Sequence, residues 1–266
     1  MSALRPIALF LAFLFLPLAA RAQEPRPSTC MAMARALPGA VFASLRPVQA
    51  VSGEVRITYA GHSTYVIETP AGVRIATDFS GVYGTEPLPD VVTMNKAHST
   101  HFTDTPDPAI AHVLRGWNPQ GGPARHALTV EDVYIRNVTT DIRRYGTMEQ
   151  DGNSIFIFEV ADLCIGHLGH LHHRLEDSHY AAIGRLDVVM VPVDGGLTLS
   201  LDGMSEIARR LSSSIILPMH RHATPLEAFT RRMGEGFDID FRDSRSLTVS
   251  LANLPRRPTV VVLDGV

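Results

Sequence analysis

The sequence predicts an α/β fold, and three observations predict it. From Val55 onward, short apolar runs alternate with polar residues and are cut by Gly and Pro turns, as strands are. The second half switches to strand, helix, strand, helix, the order of α/β units. Thirdly, Gly61-His62-Ser63-Thr64-Tyr65-Val66-Ile67-Glu68 is echoed by Gly152-Asn153-Ser154-Ile155-Phe156-Ile157-Phe158-Glu159, and each is followed by a short turn and another strand. Two readings of the echo stay open: a common hairpin that occurs twice, or a duplicated half whose two sheets face each other.

The first stretch of the chain reads as an address. Arg5 is a small positive n-region, Ile7 to Ala20 is apolar, and Ala20-Arg21-Ala22 is an A-x-A cleavage site. Residues 1–22 are expected to be a secretory signal peptide cut after Ala22, too short and wrongly flanked for a membrane span. An uncleaved anchor is the alternative. The mature chain is then periplasmic or secreted, with no stable membrane span. Cleavage removes Arg5 and Arg21 and moves the formal charge from −3 to −5, which gives no pull on nucleic acid. Cys30 and Cys164 are candidates for a disulfide in an oxidising compartment. Sequence does not show whether their Cα atoms approach closely enough.

Residues 23–50 form a Pro-rich polar leader and a short helix over Met31–Leu37, stopped by Pro38-Gly39; residues 51–266 form the domain proper. In the domain, Val55, Ile57 and Tyr59 share one face of a strand. Tyr65–Glu68 and Val73–Thr77 follow, split by Gly61 and Pro70-Ala71-Gly72. The apolar strand Val91–Met94 runs into Asn95-Lys96-Ala97-His98-Ser99-Thr100-His101. Residues 104–125, rich in proline and glycine, are expected to be an irregular loop. Strands follow near 128–130, 133–138, 155–160 and 163–166. Leu175–Ile183 has helical spacing, Asp187–Pro192 is a buried strand ending at Asp194-Gly195-Gly196, and Met204–Leu211 is helical. Ile215–Leu217 is another buried strand, and Pro225–Met233 a helix with proline in its first turn. The strand-like runs Leu247–Leu251 and Val260–Leu263 have no place that the sequence assigns.

Histidines mark the chemistry. His98 and His101 follow a buried strand; His167, His170, His172 and His173 follow another; His220 ends a third. Imidazole nitrogen suits zinc, and ligands at strand ends can converge on one ion. An H-x-x-H pair alone is weak, because surface and capping histidines explain most such pairs. His172 and His173 read as a solvated helix start, and His112, His126, His179 and His222 as loop or surface residues. Lys96, the chain's single lysine, stands beside the first pair, where it could clamp an anion or stabilise a developing oxyanion.

Taken in order, these segments resemble the metallo-β-lactamase fold superfamily, in the branch of ascorbate-6-phosphate lactonase and related metal-dependent hydrolases. Gly61–Glu68 looks like that branch's opening G-H-[SA]-[ST]-[FY]-x-[IL]-E, and Thr77-Asp78 like its T-D. Lys96–His101 stands in the place of H-x-H-x-D-H, and Gly166–His170 of H-x-G-D. Asp187–Pro192 and Pro218-Met219-His220 match D-V-L-x-x-P and P-x-H. The resemblance implies a four-layer αββα sandwich, two facing mixed sheets flanked by helices. It implies a metal-dependent hydrolase of an ester, lactone or phosphoester that uses a metal-activated hydroxide; the alternative is a degenerate member that binds a metal or small anion. Lys96 and Thr100 replace a histidine and the aspartate of the motif, so one divalent ion is expected, zinc before manganese or iron. Its ligands would come from His98, His101, His167, His170 and His220. Lys96, Thr100, His62 and Asp78 are the expected catalytic residues, and a small, anionic molecule the expected substrate. Oligomeric state is not readable.

Overall fold

The computed structural model describes residues 28–34 and 53–266. The expected signal peptide, most of the leader and the Pro38-Gly39 stop lie outside the described residues. Among those described, no helix is long and apolar enough to cross a membrane. In chain order the elements are α1 (Thr29–Ala34), β1 (Val55–Gly61), β2 (Thr64–Glu68), β3 (Arg74–Ala76), β4 (Val91–Met94) and β5 (His112–Arg115). Then come β6 (Ala127–Val130), β7 (Val133–Arg144), β8 (Thr147–Val160), β9 (Leu163–His167), α2 (Asp177–Ile183) and β10 (Val188–Pro192). The chain closes with α3 (Leu201–Leu211), β11 (Ile215–Met219), α4 (Leu226–Met233), β12 (Asp238–Phe241), β13 (Ser246–Val249) and β14 (Thr259–Val262).

Among the described residues, fourteen strands form two mixed sheets, ordered β13-β1-β2-β3-β4-β5 and β12-β14-β11-β10-β9-β8-β7-β6. Their facing surfaces make the main core, where Ile57, Tyr65 and Ile75 meet Phe156, Met190 and Leu217. In β1 the expected alternation holds, with Val55, Ile57 and Tyr59 buried. β10 and β11 show no alternation, because every residue in them is buried and both run parallel to their neighbours with both faces covered.

Helices α1 to α4 pack on the outer face of the eight-stranded sheet, where Cys30, Ile183, Ile207 and Phe229 meet Val189, Val191 and Ile216. α3 begins at Ser200, whose hydroxyl accepts from the Gly203 N–H, and its last turn carries Arg209 and Arg210 against the carboxyl end of the dipole. The outer face of the six-stranded sheet is covered differently. Phe102, Ile110 and Trp117 from the loop around β5 pack on Ala76, Val92 and Met94. Among the described residues this outer layer is therefore irregular where helices were expected.

Residues 104–125 need a correction as well, since they are not wholly loop. His112–Arg115 pairs in parallel with β4, Val92 opposite Val113. Flanking proline and glycine hid four residues whose strand state comes from a neighbour distant in sequence. The unplaced tail closes both sheets: β13 lies antiparallel to β1, and β14 and β12 run parallel beyond β11. Cys30 and Cys164 form a disulfide, with Cα atoms 6.0 Å apart. It ties α1 to β9.

The echo now has a structural meaning. Strands β1 to β5 pair antiparallel, antiparallel, parallel, parallel. Strands β7 to β11 repeat that order in the opposing sheet. The two echoing segments, β2 and β8, occupy equivalent places. This is the duplicated half with two facing sheets, and it sends the loops after β4, β9, β10 and β11 to one common edge. Carboxyl ends of parallel strands are where open α/β sheets place their ligands.

Candidate metal centre

Four histidines reach that edge from both halves. His62 sits in the β1–β2 turn, His98 and His101 follow β4, and His220 follows β11. One nitrogen from each lies within 4.8 Å of the other three. The Nε2 atoms of His98 and His220 are 3.3 Å apart. The backbone bends sharply to achieve this: His62, Asp78 and His220 all have left-handed φ values, 53°, 43° and 53°. Non-glycine residues adopt such φ at a cost, and a cluster of them marks an over-determined place. Here the His220 N–H donates to the His62 carbonyl at 2.7 Å, locking the two turns together across the sheets.

Three of the rings are held from behind. Asp78 Oδ2 lies 2.6 Å from His101 Nδ1, Asp194 Oδ2 lies 3.0 Å from His220 Nδ1, and Thr100 Oγ1 lies 2.8 Å from His98 Nδ1. Each contact fixes one ring nitrogen and leaves Nε2 for the centre. The carboxylates are fixed in turn. Asn95 donates to Asp78 Oδ1, and Asp194 accepts from the N–H groups of Gly196, Leu197 and Thr198 and from the Thr198 hydroxyl. Supported imidazoles of this kind are how proteins orient metal ligands.

Charge runs in the same sense. Burial lowers the pKa of His62 to about 4, helped by the charges of His220 and His98. Burial and His220 also lower His98, and burial with several imidazoles drives His101 well down. These rings are neutral at pH 7 and keep lone pairs. Asp78 is raised by burial, against the opposing pull of His167 and Asn95. Asp194 is held below the usual carboxylate range: burial would raise it, but hydrogen bonds from His220, Thr198 and nearby N–H groups prevail.

A fifth ring stands alongside. His170 lies 4.7 Å, centroid to centroid, from both His101 and His220 and 5.1 Å from His98. It is 4% exposed, and neither of its nitrogens has a partner. Buried polar atoms without partners are rare in folded proteins and call for a ligand. His62 Nε2 and His101 Nε2 are orphaned in the same way. Soft, neutral nitrogen donors converging on one point suit a divalent transition ion such as zinc. His98 and His170 also line an open cavity of about 890 Å³, whose wall includes Phe102, Arg143, Arg144 and Tyr145.

Two expected residues go elsewhere. His167 is buried, but its Nε2 reaches the Ser63 carbonyl at 2.9 Å and its Nδ1 accepts from the Gly169 N–H. Both nitrogens are engaged, so it braces the two sheets and is not free to bind an ion. Lys96 turns to the carboxylate of Glu149, with which it forms an ion pair, and is not among the described residues that line the cavity. Thr100 and Asp78, expected to act in catalysis, stand behind His98 and His101. His62, expected to act on substrate, stands within the imidazole group.

The sequence pattern did not single out Asn95 and Asn153. Asn95 joins Asp78 to Ser154, and Asn153 accepts from the His170 N–H while donating to Thr140. The echo could have found Asn153, because it aligns with His62. Gly169 is obligatory between them: its φ is +62°, and a Cβ there would stand 2.4 Å from both asparagine side chains.

The model for the beta-lactamase superfamily domain matches residues 56–220. A UPF0173 metal-dependent hydrolase from Thermoplasma volcanium is 24% identical over 194 residues, 63% of this chain and 83% of that one. Among solved structures, one from Thermotoga maritima, assigned as a Zn-dependent hydrolase of the metallo-beta-lactamase superfamily, superposes with a TM-score of 0.56. It is 26% identical and covers 79% of this chain and 98% of its own. The metallo hydrolase Igni18 from Ignicoccus hospitalis shares the fold at 17% identity, with a TM-score of 0.52 over 69% of this chain and 92% of its own.

Proposed function

Because the chain belongs to the beta-lactamase superfamily, we propose that it is an exported metal-dependent hydrolase of an ester, lactone or phosphoester, with one divalent ion, zinc first, at the imidazole centre. The observation that carries this reading is the convergence of His62, His98, His101 and His220 to within 4.8 Å, with three of the rings braced by Thr100, Asp78 and Asp194. His98, His101 and His220 would hold the ion through Nε2, which leaves a coordination place open, with His62 beside it in the β1–β2 turn. When bound, the ion supplies Lewis acidity, polarising a substrate oxygen and making water acidic enough to attack near neutral pH.

The remaining work falls to the chain. His170 borders both the centre and the cavity. Burial and the surrounding imidazoles lower its pKa, so the ring is neutral and offers one N–H. That N–H can donate to an oxyanion developing on the substrate, a contact stronger in the transition state than before it. The cavity admits a small molecule from solvent. Lys96, paired with Glu149, stands at the β4 loop in the place of a histidine of the motif, so a second ion there would lack that donor.

One observation favours a second reading, a member that holds a metal or small anion without turnover. Asp78 and Asp194 are both engaged with imidazoles, so neither is free to take a proton from water. Metal analysis of untagged mature protein, with turnover of aryl ester, lactone and phosphodiester panels, separates the two. We expect about one equivalent of metal, lost in His101→Ala together with turnover. Metal at background in the native protein sinks the hydrolase reading and leaves only the anion-binding form of the second; one equivalent with no turnover leaves only the binding reading.

A further inference from the structure

The β7–β8 hairpin is longer than its counterpart in the first half. There, the chain turns at His62, directly after β1. In the second half, β9 pairs with β8 only from Val160 back to Phe156, opposite His167. Residues 147–155 of β8 run on past that point with β7 as their strand partner, out beyond the edge that carries the imidazoles. The hairpin turns at Tyr145-Gly146, with φ values of 51° and 82°. A two-residue turn with both φ positive matches the twist of its strands and keeps such an arm in register. Tyr145 is 95% exposed at its tip.

The arm carries charge into the cavity. Arg143 and Arg144 line it together with His98 and His170, and Asp104 is the one carboxylate among the described lining residues. One Arg143 Nη donates to the Gly196 carbonyl, which steadies the guanidinium and leaves other donors open. Arg144 stands 4.0 Å from Glu149, whose carboxylate Lys96 already holds. Two arginines thus line a cavity that His170, with its unpartnered, buried nitrogens, also lines.

We propose that this arm selects the substrate, with Arg143 and Arg144 taking an oxyanion, carboxylate or phosphate, that the substrate carries away from its scissile bond. The proposal rests on the hydrolase reading for the identity of the ligand as a substrate. A guanidinium fork matches the two oxygens of such a group, and a lysine does not. The hairpin holds that group while the scissile bond lies at His170 and the imidazole centre, so one ligand spans the cavity. Both arginines lie at the surface or half-buried, so their replacement leaves the core intact.

The test compares p-nitrophenyl acetate with the mono-p-nitrophenyl ester of glutaric acid on metal-loaded protein. The ratio of kcat/KM, glutarate ester over acetate, is expected to exceed one in the native enzyme. It should fall roughly 10- to 100-fold in Arg143→Gln/Arg144→Gln, the usual worth of charge-assisted hydrogen bonds. Arg143→Lys should fall between. An unchanged ratio with a normal melting temperature overturns the proposal. If neither ester turns over, the carboxylic-ester form of the hydrolase reading fails and the arm is judged by calorimetry, with glutarate and inorganic phosphate as separate titrants. Binding of either that weakens at least about tenfold in the double variant sustains the arm and tells carboxylate from phosphate; no binding, or binding unchanged by the substitutions, removes it.

Discussion

Two carboxylates brace the centre from opposite halves of the molecule: Asp78 behind His101, and Asp194 behind His220. Their electrostatic states differ, because Asp78 is wholly buried with few donors whereas Asp194 collects N–H groups from its own turn. If their role is to orient ligands, Asp78→Asn and Asp194→Asn should each weaken metal affinity about 10- to 100-fold while the fold persists. Chelator competition on each variant measures this, with far-UV dichroism as the control for folding. Native-like affinity in both variants would show that the rings need no support. Only part of this was legible in the sequence. Asp78 stood out because it follows a strand in a Thr-Asp pair, and Asp194 because it opens a Gly-Gly turn. Asn95 and Asn153 did not, because a buried amide differs from a surface one only in its distant partners. Lys96 stood out as the single lysine, but its partner Glu149 lies far along the chain, and no local pattern connects the two.

The first helix and the paired strands show where strand-level reading stops. The short helix α1 is held by the Cys30–Cys164 disulfide and by Glu159, whose carboxylate accepts from Ser28, Thr29 and Cys30 and pairs with Arg136. Arg136 in turn donates to the Ala182 and Ile183 carbonyls, which caps the carboxyl end of α2. Burial alone would raise the Glu159 pKa, yet the hydrogen bonds from Arg136 and Ser28 bring it below the usual value of 4.5. The carboxylate stays charged to lower pH in the folded chain than in the unfolded one. Its contribution is therefore complete above about pH 4.5 and is lost as pH falls through the folded value. Glu159→Gln should cost about 1.5–3 kcal/mol at pH 7 and less at pH 3. Urea titrations at both pH values check this; an equal loss at the two would mean that the charge is not what matters. The helix and the strands were readable from apolar spacing. Cys30 and Cys164 stood out as a candidate disulfide, but the Glu159 network did not, since its partners Ser28 and Thr29 lie 131 and 130 positions away.

At the scale of the whole molecule, the centre belongs to neither half. His62, His98 and His101 come from the six-stranded side and His220 from the eight-stranded side, joined by the His220 N–H to the His62 carbonyl. The repeated Gly-x-Ser segments left open a common hairpin or a duplicated half, and the order of motifs pointed to the sandwich. The layer over the six-stranded sheet stayed unreadable because Phe102, Ile110 and Trp117 pack from a loop without periodicity. An ion bound between two halves must stabilise them as one unit. Ligand present at about 100 times its dissociation constant adds about 2.7 kcal/mol to the folded state. For a domain of this length that raises the melting temperature by about 5–10 °C. Calorimetry of chelated and zinc-loaded protein should therefore show one transition that moves upward as a whole. Because an ion held by one half alone would stabilise that half alone, two transitions with only one of them shifted by zinc would assign the ion to a single sheet and dismantle the shared centre.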